Sequence, residues 1–305
     1  MAHTDTFLLA GVMGWPIMPS RSPMIHNYWF ARHQLAGAYV PLAIRPEGLE
    51  QALRALPALG FAGCNVTIPH KQEAMRIVDE VHESARAIGA ISCVTVRPDG
   101  SLLGSNNDAF GFIRNLRRQQ PHWRADAGPA VVIGAGGGSR AVCYGLLQEG
   151  VPEIRLVNRS AQRARAVAQA LGGAVQAFDW EQRGELLRGA ALVVNTTSQG
   201  MVGQGALDIA LDALPVTAVV ADIVYVPLET PLLAAARARQ PDGGRPGHAA
   251  APGATGLESL VRHRARGQRR AAPAGRAEPV AAVGRGLRQL GVEVVPGALE
   301  QRVGP

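Results

Sequence analysis

Short apolar runs alternate with amphipathic segments through the first 240 residues, and the two periods predict strands and helices in turn. FLLAGVM (7–13) reads as a buried strand. Ser22 and Pro23 read as an N-cap and a first helical position, opening a helix to about residue 36. AYVPLAI (38–44) is a strand, 46–59 an amphipathic helix and FAGCNVT (61–67) another strand. A helix is expected from near Pro69. ISCVTV (91–96) and SLLG (101–104) flank Pro98, Asp99 and Gly100, a hairpin-turn signal. Residues 108–119 carry a helical pattern, and the polar stretch 120–128 reads as a linker.

A new unit begins at Pro129. AVVIGAGGGSRAVCYGLLQEG is strand, glycine turn and helix; EIRLVNRS is the next strand and AQRARAVAQAL the next helix. ALVVNTT (191–197) and AVVADIV (218–224) add two short hydrophobic strands. Strands alternating with helices predict parallel βαβ units in a doubly wound sheet. The expected architecture is α/β in two domains, about 1–120 and 121–240.

Composition narrows the class. At 305 residues, 47% hydrophobic and 18% charged, the chain is that of a globular protein. No apolar run reaches the ~18 residues of a membrane helix, and the N-terminus lacks a signal-peptide pattern. Cys64, Cys93 and Cys143 cannot all pair and form no metal-type cluster, so a cytoplasmic protein without a metal is expected. The net charge of +7 lies mostly in residues 241–305, which carry a net of +5, so nucleic-acid binding is not expected of the body. Of the 31 basic side chains, Lys71 is the one Lys. An ammonium can exchange a proton where a guanidinium stays charged, although codon bias alone could leave one Lys.

Gly134, Ala135, Gly136 and Gly137 directly follow the strand AVVI and open a helix. In that context glycines let the backbone approach a pyrophosphate, and the helix N-terminus supplies amides. NAD sites usually place an acid at the end of the second strand; here Asn158, Arg159 and Ser160 stand there, with Arg163 beyond. Arg159, Ser160 and Arg163 suit a 2′-phosphate, so NADP is favoured over NAD. The plainer alternative is Ser160 as an N-cap beside two solvated arginines.

Three polar clusters interrupt the first domain. Ser20 and Ser22 precede the first helix; Asn65, Thr67 and Lys71 lie where a strand runs out; Asn106, Asn107 and Asp108 sit at a turn before a helix. Ser22 and Asp108 could each be only N-caps. A Lys and an Asp at loop-to-helix junctions could instead form a proton-handling pair.

Together these clusters resemble the shikimate dehydrogenase family. The resemblance spans residues 8–240 in order, through GWPIMPSRSPMIHN, NVTIPHK, IGAISCV, GSNNDAFGF, VIGAGGGSRA, NRSAQRA, NTTSQGM and DIVYVPLETPLL. It implies a substrate domain followed by a Rossmann-like NADP domain, and reversible NADPH-dependent reduction of 3-dehydroshikimate to shikimate, a step toward chorismate and the aromatic amino acids. Carried over, Ser20 and Ser22 hold the substrate carboxylate, and Asn65, Thr67 and Asp108 contact ring hydroxyls. Lys71 and Asp108 handle the proton at the C3 oxygen, and Tyr225 faces the substrate. Gly134, Ala135, Gly136 and Gly137 hold pyrophosphate, while Asn158, Arg159, Ser160 and Arg163 hold the adenosine phosphate end. Thr197, Ser198 and Met201 line the nicotinamide side. A quinate/shikimate dehydrogenase and a non-catalytic NADP-binding relative are the competing readings, and a monomer or homodimer is expected.

The chain departs from the family in three places. Ser92 stands where the family usually has Asn, a shorter donor toward the ring hydroxyls, and Asn107 where it usually has Thr. From Pro241 the third departure begins: 65 residues hold 12 Gly, 12 Ala and 7 Pro with no Phe, Trp, Tyr, Ile or Met, a composition expected to stay unpacked. PDGGRPGHAAAP (241–252) replaces a family segment like VDGLGMLLHQA, whose helix offers a Gln to the substrate. With one choice of GC-rich codons, PDGGRPGHAAAP followed by the next G, shifted by one base, can read RTVDGLGMLLHQ. A frameshift near residue 240 would account for the composition and the excess charge together; a genuine low-complexity extension is the plainer alternative. Sequencing the coding DNA tests this: a family-like frame one base over is expected downstream of codon 240, and its absence overturns the frameshift.

Overall fold

The computed structural model describes residues 7–18 and 20–239, so the atypical tail and the frameshift expected near residue 240 lie outside the described residues. Two compact units divide between Asn107 and Asp108.

The first unit runs β1 (Leu8–Gly14), α1 (Ser22–Arg32), β2 (Gly37–Ala43), α2 (Leu49–Ala55), β3 (Phe61–Val66) and α3 (Glu73–Ile77). It continues with β4 (Glu80–Val81), α4 (Glu83–Ile88), β5 (Cys93–Val96) and β6 (Leu102–Ser105). The sheet order is β2-β1-β3-β5-β6-β4, with β1, β2 and β3 parallel and β5–β6 the predicted antiparallel hairpin. Neighbouring positions on β1 face opposite ways, as strand geometry requires. Met13 joins a cluster with Leu49, Leu53, Cys64 and Val94, while Val12 packs with Ile17, Phe30 and Tyr39.

Several helices are shorter than their patterns suggest. The segment 46–59 is a single 3₁₀ turn followed by α2, which ends at Ala55 ahead of Pro57. Proline restricts the residue before it and cannot donate to the helix, so the apolar period outlasts the helix. α1 stops at Arg32, and Gln34 takes a left-handed conformation (φ 54°). No helix starts at Pro69; residues 68–72 form turns ahead of α3. β4 is too short to show a periodicity, and neither it nor α4 is evident from pattern alone.

The second unit holds α5 (Asp108–Gln119), β7 (Ala130–Ile133), α6 (Gly137–Gln148), β8 (Ile154–Val157), α7 (Ala161–Leu171), β9 (Val175–Phe178), β10 (Leu192–Asn195), β11 (Val219–Asp222) and α8 (Pro231–Ala238). Its five strands are all parallel in the order β11-β10-β7-β8-β9, the 3-2-1-4-5 arrangement of a doubly wound sheet. One face packs on α5, α6 and α7 through Phe112, Leu116, Val142, Leu146 and Val167. The other packs on Leu187, Leu207, Leu214, Leu232 and Leu233. The helix 108–119, grouped by sequence with the first domain, packs with this unit instead: a Cβ at Gly145 of α6 would lie 2.9 Å from Ile113, so the two helices meet at close range. α8 starts where Thr230 caps the helix, its hydroxyl accepting from the Leu233 amide, with Pro231 next.

In the first unit, His26 of α1 lies flat on Tyr39, ring centroids 4.1 Å apart and planes within 7°. Burial pushes its imidazole down to about 4. The folded state therefore keeps His26 neutral where the unfolded chain, titrating near 6.5, takes up a proton. Stability rises with pH across that window and is lost as pH falls from 6.5 toward 4, by up to about 1.4 kcal/mol per pH unit. Urea denaturation at pH 7 and pH 4.5 checks this: His26→Phe should lose about 2 kcal/mol less than the wild type over that interval. Equal losses would refute it.

Candidate active site

Strand direction sets the first cluster. β1 and β3 end, and β5 begins, at the same edge of the sheet. The Thr67 amide donates to Met13 O at 2.9 Å, and the Trp15 amide to Ile68 O at 3.0 Å. Gly14 permits this approach, since a Cβ there would lie 2.5 Å from Thr67 Cγ2. On the other side of β3, the Val66 amide donates to Ser92 O, the Ile91 amide to Lys71 O and the Ser92 amide to Ser105 O, all within 2.8–2.9 Å. Asn65, Thr67, Lys71 and Ser92 are thus tied to one edge by backbone hydrogen bonds. Ser20 and Ser22 follow the end of β1 along the chain. His70 is buried beneath the turn, its Nε2 2.8 Å from Ile44 O.

Ser22 is not the N-cap of α1. Arg21 occupies that position without a side-chain cap, and Ser22 is the first helical residue. Ser20 Oγ accepts from the Ser22 amide at 3.3 Å, satisfying one of the helix's open donors from two residues upstream. The Ser22 hydroxyl is left out of the capping. Asp108 likewise lies inside the first turn of α5. Ser92 Oγ accepts from the Asn107 amide at 3.1 Å, so the residue that replaces the family's Asn anchors the backbone just ahead of Asp108.

In the second unit strand order reverses at β7, with β8 and β9 on one side and β10 and β11 on the other. Ligands of open α/β sheets bind at the carboxyl ends beside such a switch point. Gly134 stands there in a left-handed conformation (φ 115°), where a Cβ would lie 2.6 Å from Thr196 Oγ1. Thr196 in turn donates to Ile133 O at 2.7 Å. Gly136 is exposed and faces open space: a Cβ on it would touch nothing within 4 Å. The turn is packed from behind and bare in front, which fits the close approach of a pyrophosphate to Ala135, Gly136 and Gly137.

At the end of β8, Asn158 Nδ2 donates to Ser160 O at 3.0 Å, and Ser160 caps α7 through the Arg163 amide. The capping role of Ser160 is therefore real. Arg159 and Arg163 are exposed and form no ion pair among the described residues. Two uncompensated cations with no acid at the strand end suit a phosphate better than a pair of ribose hydroxyls.

The segment after β10 hangs on a buried network that the apolar pattern hides. Asn195 Oδ1 accepts from the Thr197 amide (3.0 Å) and hydroxyl (2.8 Å), and Asn195 Nδ2 donates to Gln199 O (3.1 Å) and Asp222 Oδ1 (3.0 Å). Asp222 also accepts from the Val224 amide and the Thr230 hydroxyl. Burial raises its carboxyl to about 6 against the lowering effect of these donors. The Val202 amide donates to Val226 O at 3.0 Å. Thr197, Ser198 and Met201 are thereby linked to the segment carrying Tyr225.

A glycine turn at the switch point of a parallel 3-2-1-4-5 sheet, preceded by a mixed-sheet unit with polar residues gathered at its strand ends, defines a two-unit α/β protein of the dinucleotide-binding class. Comparison with known families makes this specific. Residues 12–94 match the model for the shikimate dehydrogenase substrate-binding domain, and 118–224 the model for shikimate / quinate 5-dehydrogenase. A shikimate dehydrogenase (NADP(+)) of Paramagnetospirillum magneticum is 57% identical over 231 residues, 76% of this chain and 84% of that protein. Among solved structures, shikimate 5-dehydrogenase from Thermus thermophilus in complex with NADP(H) and shikimate is 30% identical with a TM-score of 0.70, covering 84% of this chain and 99% of the other. Quinate dehydrogenase from Corynebacterium glutamicum in complex with NAD is 31% identical with a TM-score of 0.72, covering 83% and 90%. The chain belongs to the shikimate dehydrogenase family.

The two glycines separate stability from binding. Gly136→Ala meets no neighbour at an ordinary backbone angle (φ −97°), so its Tm should stay within about 2 °C of wild type. Its affinity for NADPH, read by fluorescence titration, should fall about tenfold or more. Gly134→Ala should instead lower Tm itself, from strain and the clash with Thr196. Full NADPH affinity in Gly136→Ala would refute the assignment of the turn.

Proposed function

We propose that this chain interconverts 3-dehydroshikimate and shikimate with NADP as the hydride partner. The reading rests chiefly on the gathering of Asn65, Thr67, Lys71 and Ser92 at one strand-end edge of the first unit, in a chain whose second unit carries the glycine turn. Ser20 and Ser22 bind the substrate carboxylate, and Asn65 and Thr67 orient the ring through its hydroxyls. Ser92 assists with the shorter reach of a hydroxyl, and Tyr225 is the aromatic assigned to face the substrate. Gly134, Ala135, Gly136 and Gly137 cradle the pyrophosphate; Asn158, Arg159, Ser160 and Arg163 take the adenosine phosphate end; Thr197, Ser198 and Met201 flank the nicotinamide.

The cofactor held by the glycine turn would supply the hydride for the C3 carbonyl carbon, and the oxygen would need a proton from this chain. Lys71 and Asp108 are the groups assigned to deliver it, and in the reverse direction to accept it, since an alcohol becomes a carbonyl only if its proton leaves. A reading frame changed at about residue 240 would remove the family's substrate-facing Gln and lower turnover below that of an intact relative. The protein is expected to act in the cytoplasm on a small-molecule substrate.

Quinate with NAD is the competing pair, represented by the Corynebacterium glutamicum structure. Arg159 and Arg163 favour a phosphorylated cofactor over NAD. Absorbance at 340 nm separates the readings. NADPH should form with shikimate and NADP, and far more slowly with quinate or NAD. Lys71→Met should reduce kcat at least about 100-fold, and Arg159→Asp should raise KM for NADP about tenfold with little change for NAD. Tight NADPH binding without turnover would mean a non-catalytic relative; preference for quinate and NAD would mean the other dehydrogenase.

A further inference from the structure

We propose that Tyr39 is a positioning residue that fixes the orientation of the Asn65 carboxamide, so that Asn65 meets the substrate as a hydrogen-bond donor. This rests on the shikimate-binding role proposed above for Asn65. Tyr39 has no place among the candidate site residues, and in sequence it is one more apolar position of a strand.

The orientation follows from what each partner can do. Asn65 Nδ2 lies 3.2 Å from Ser92 O, a backbone carbonyl that can only accept. The nitrogen of the carboxamide must therefore face β5, which turns Oδ1 toward Tyr39. The phenol donates to Oδ1 at 2.6 Å. With Oδ1 facing Tyr39 and one N–H spent on Ser92, the second Nδ2 hydrogen remains for a ligand oxygen. Without the Tyr39 hydroxyl, nothing would favour this orientation beyond the longer Ser92 contact.

Tyr39 is itself held from three sides. β2 is the edge strand of its sheet, and the outward backbone groups of Tyr39 are taken by Asn27: Nδ2 donates to Tyr39 O and Oδ1 accepts from the Tyr39 amide, both at 2.8 Å. His26 stacks on the ring, and Val12, Ile17 and Phe30 surround it in the core. Burial raises the phenol well above its ordinary value, keeping it a donor. A Phe would fill the same hydrophobic space, so a Tyr here serves the hydroxyl contact.

Tyr39→Phe, Asn65→Ala and the double variant test the inference through shikimate binding by calorimetry and through steady-state kinetics. Loss of one neutral hydrogen bond should raise Kd and KM for shikimate about five- to tenfold in Tyr39→Phe. KM for NADP should stay within about twofold, because a Tyr39–Asn65 effect is confined to the substrate. In the Asn65→Ala background, Tyr39→Phe should add almost nothing, as expected of residues acting through one contact. If Tyr39→Phe does not fold, Asn27→Ala, which slackens the strand edge under Tyr39, should give the same shikimate-selective weakening. Unchanged shikimate affinity, an equal effect without Asn65, or equal weakening toward NADP would overturn the inference. A wild type that binds no shikimate would overturn the functional reading, and this inference with it.

Discussion

Parallel strands must return over a face of the sheet, so their carboxyl ends collect on one edge, and every candidate group here depends on that constraint. In the second unit it leaves the glycine turn, Asn158 and Thr197 at the ends of β7, β8 and β10. In the first unit it acts on β1 and β3, and the antiparallel hairpin extends it. Because β5 runs against β3, the start of β5 and the end of β6 meet the same edge, which is how Ser92 and Asn107 come within one hydrogen bond. The edge is an outcome of topology before it is a matter of side chains.

Three strands of the second unit are legible because their burial is continuous: AVVI, LVVN and VVAD are buried at every position, and no helix among the described residues has four buried positions in a row. The glycine turn is legible because only its context allows the left-handed angle at Gly134. Helix lengths are not, since α2 stops at a proline constraint that apolar periodicity does not report. The site is legible as residue types and unreadable as contacts. Ser20 as the acceptor of the Ser22 amide, Ser92 as the anchor of Asn107, and Tyr39 as the partner of Asn65 join positions through space. The last two pairs are 15 and 26 residues apart in sequence. Asp222 is hidden for another reason: its strand reads as apolar, and its partners come from two other segments.

Both units solve the same problem with a buried or half-buried amide. A carboxamide bridges strands and loops in each: Asn65 between Tyr39 and Ser92, Asn195 between Asp222 and the turn at Thr197. A carboxamide carries donor and acceptor together and costs far less to bury than a charge. Asp222 is the exception, a carboxyl that meets three donors and no cation, and burial raises it to about 6 despite them. The directional demand of such groups is high, because a reversed amide would set donor against donor. That demand makes them suited to holding a loop or a ligand-facing side chain in a single orientation.

The basic side chains divide along the same chemical line. Structural cation contacts such as Arg54–Asp79, Arg155–Glu153 and Arg183–Asp208 use Arg, whose planar fork holds carboxylates and carbonyls at once. Arg155 shows the fork at work, reaching Glu153 and the carbonyls of Leu186 and Arg188 together. None of these guanidinium groups can serve proton transfer, because they do not give up a proton at any pH the fold survives. In a chain that assigns its structural cation contacts to Arg, the one ammonium stands in the turn ahead of α3, its carbonyl fixed by the Ile91 amide. The strand edge defines where Lys71 begins, and an amine, unlike a guanidinium, has the chemistry for the proton transfer proposed for Lys71.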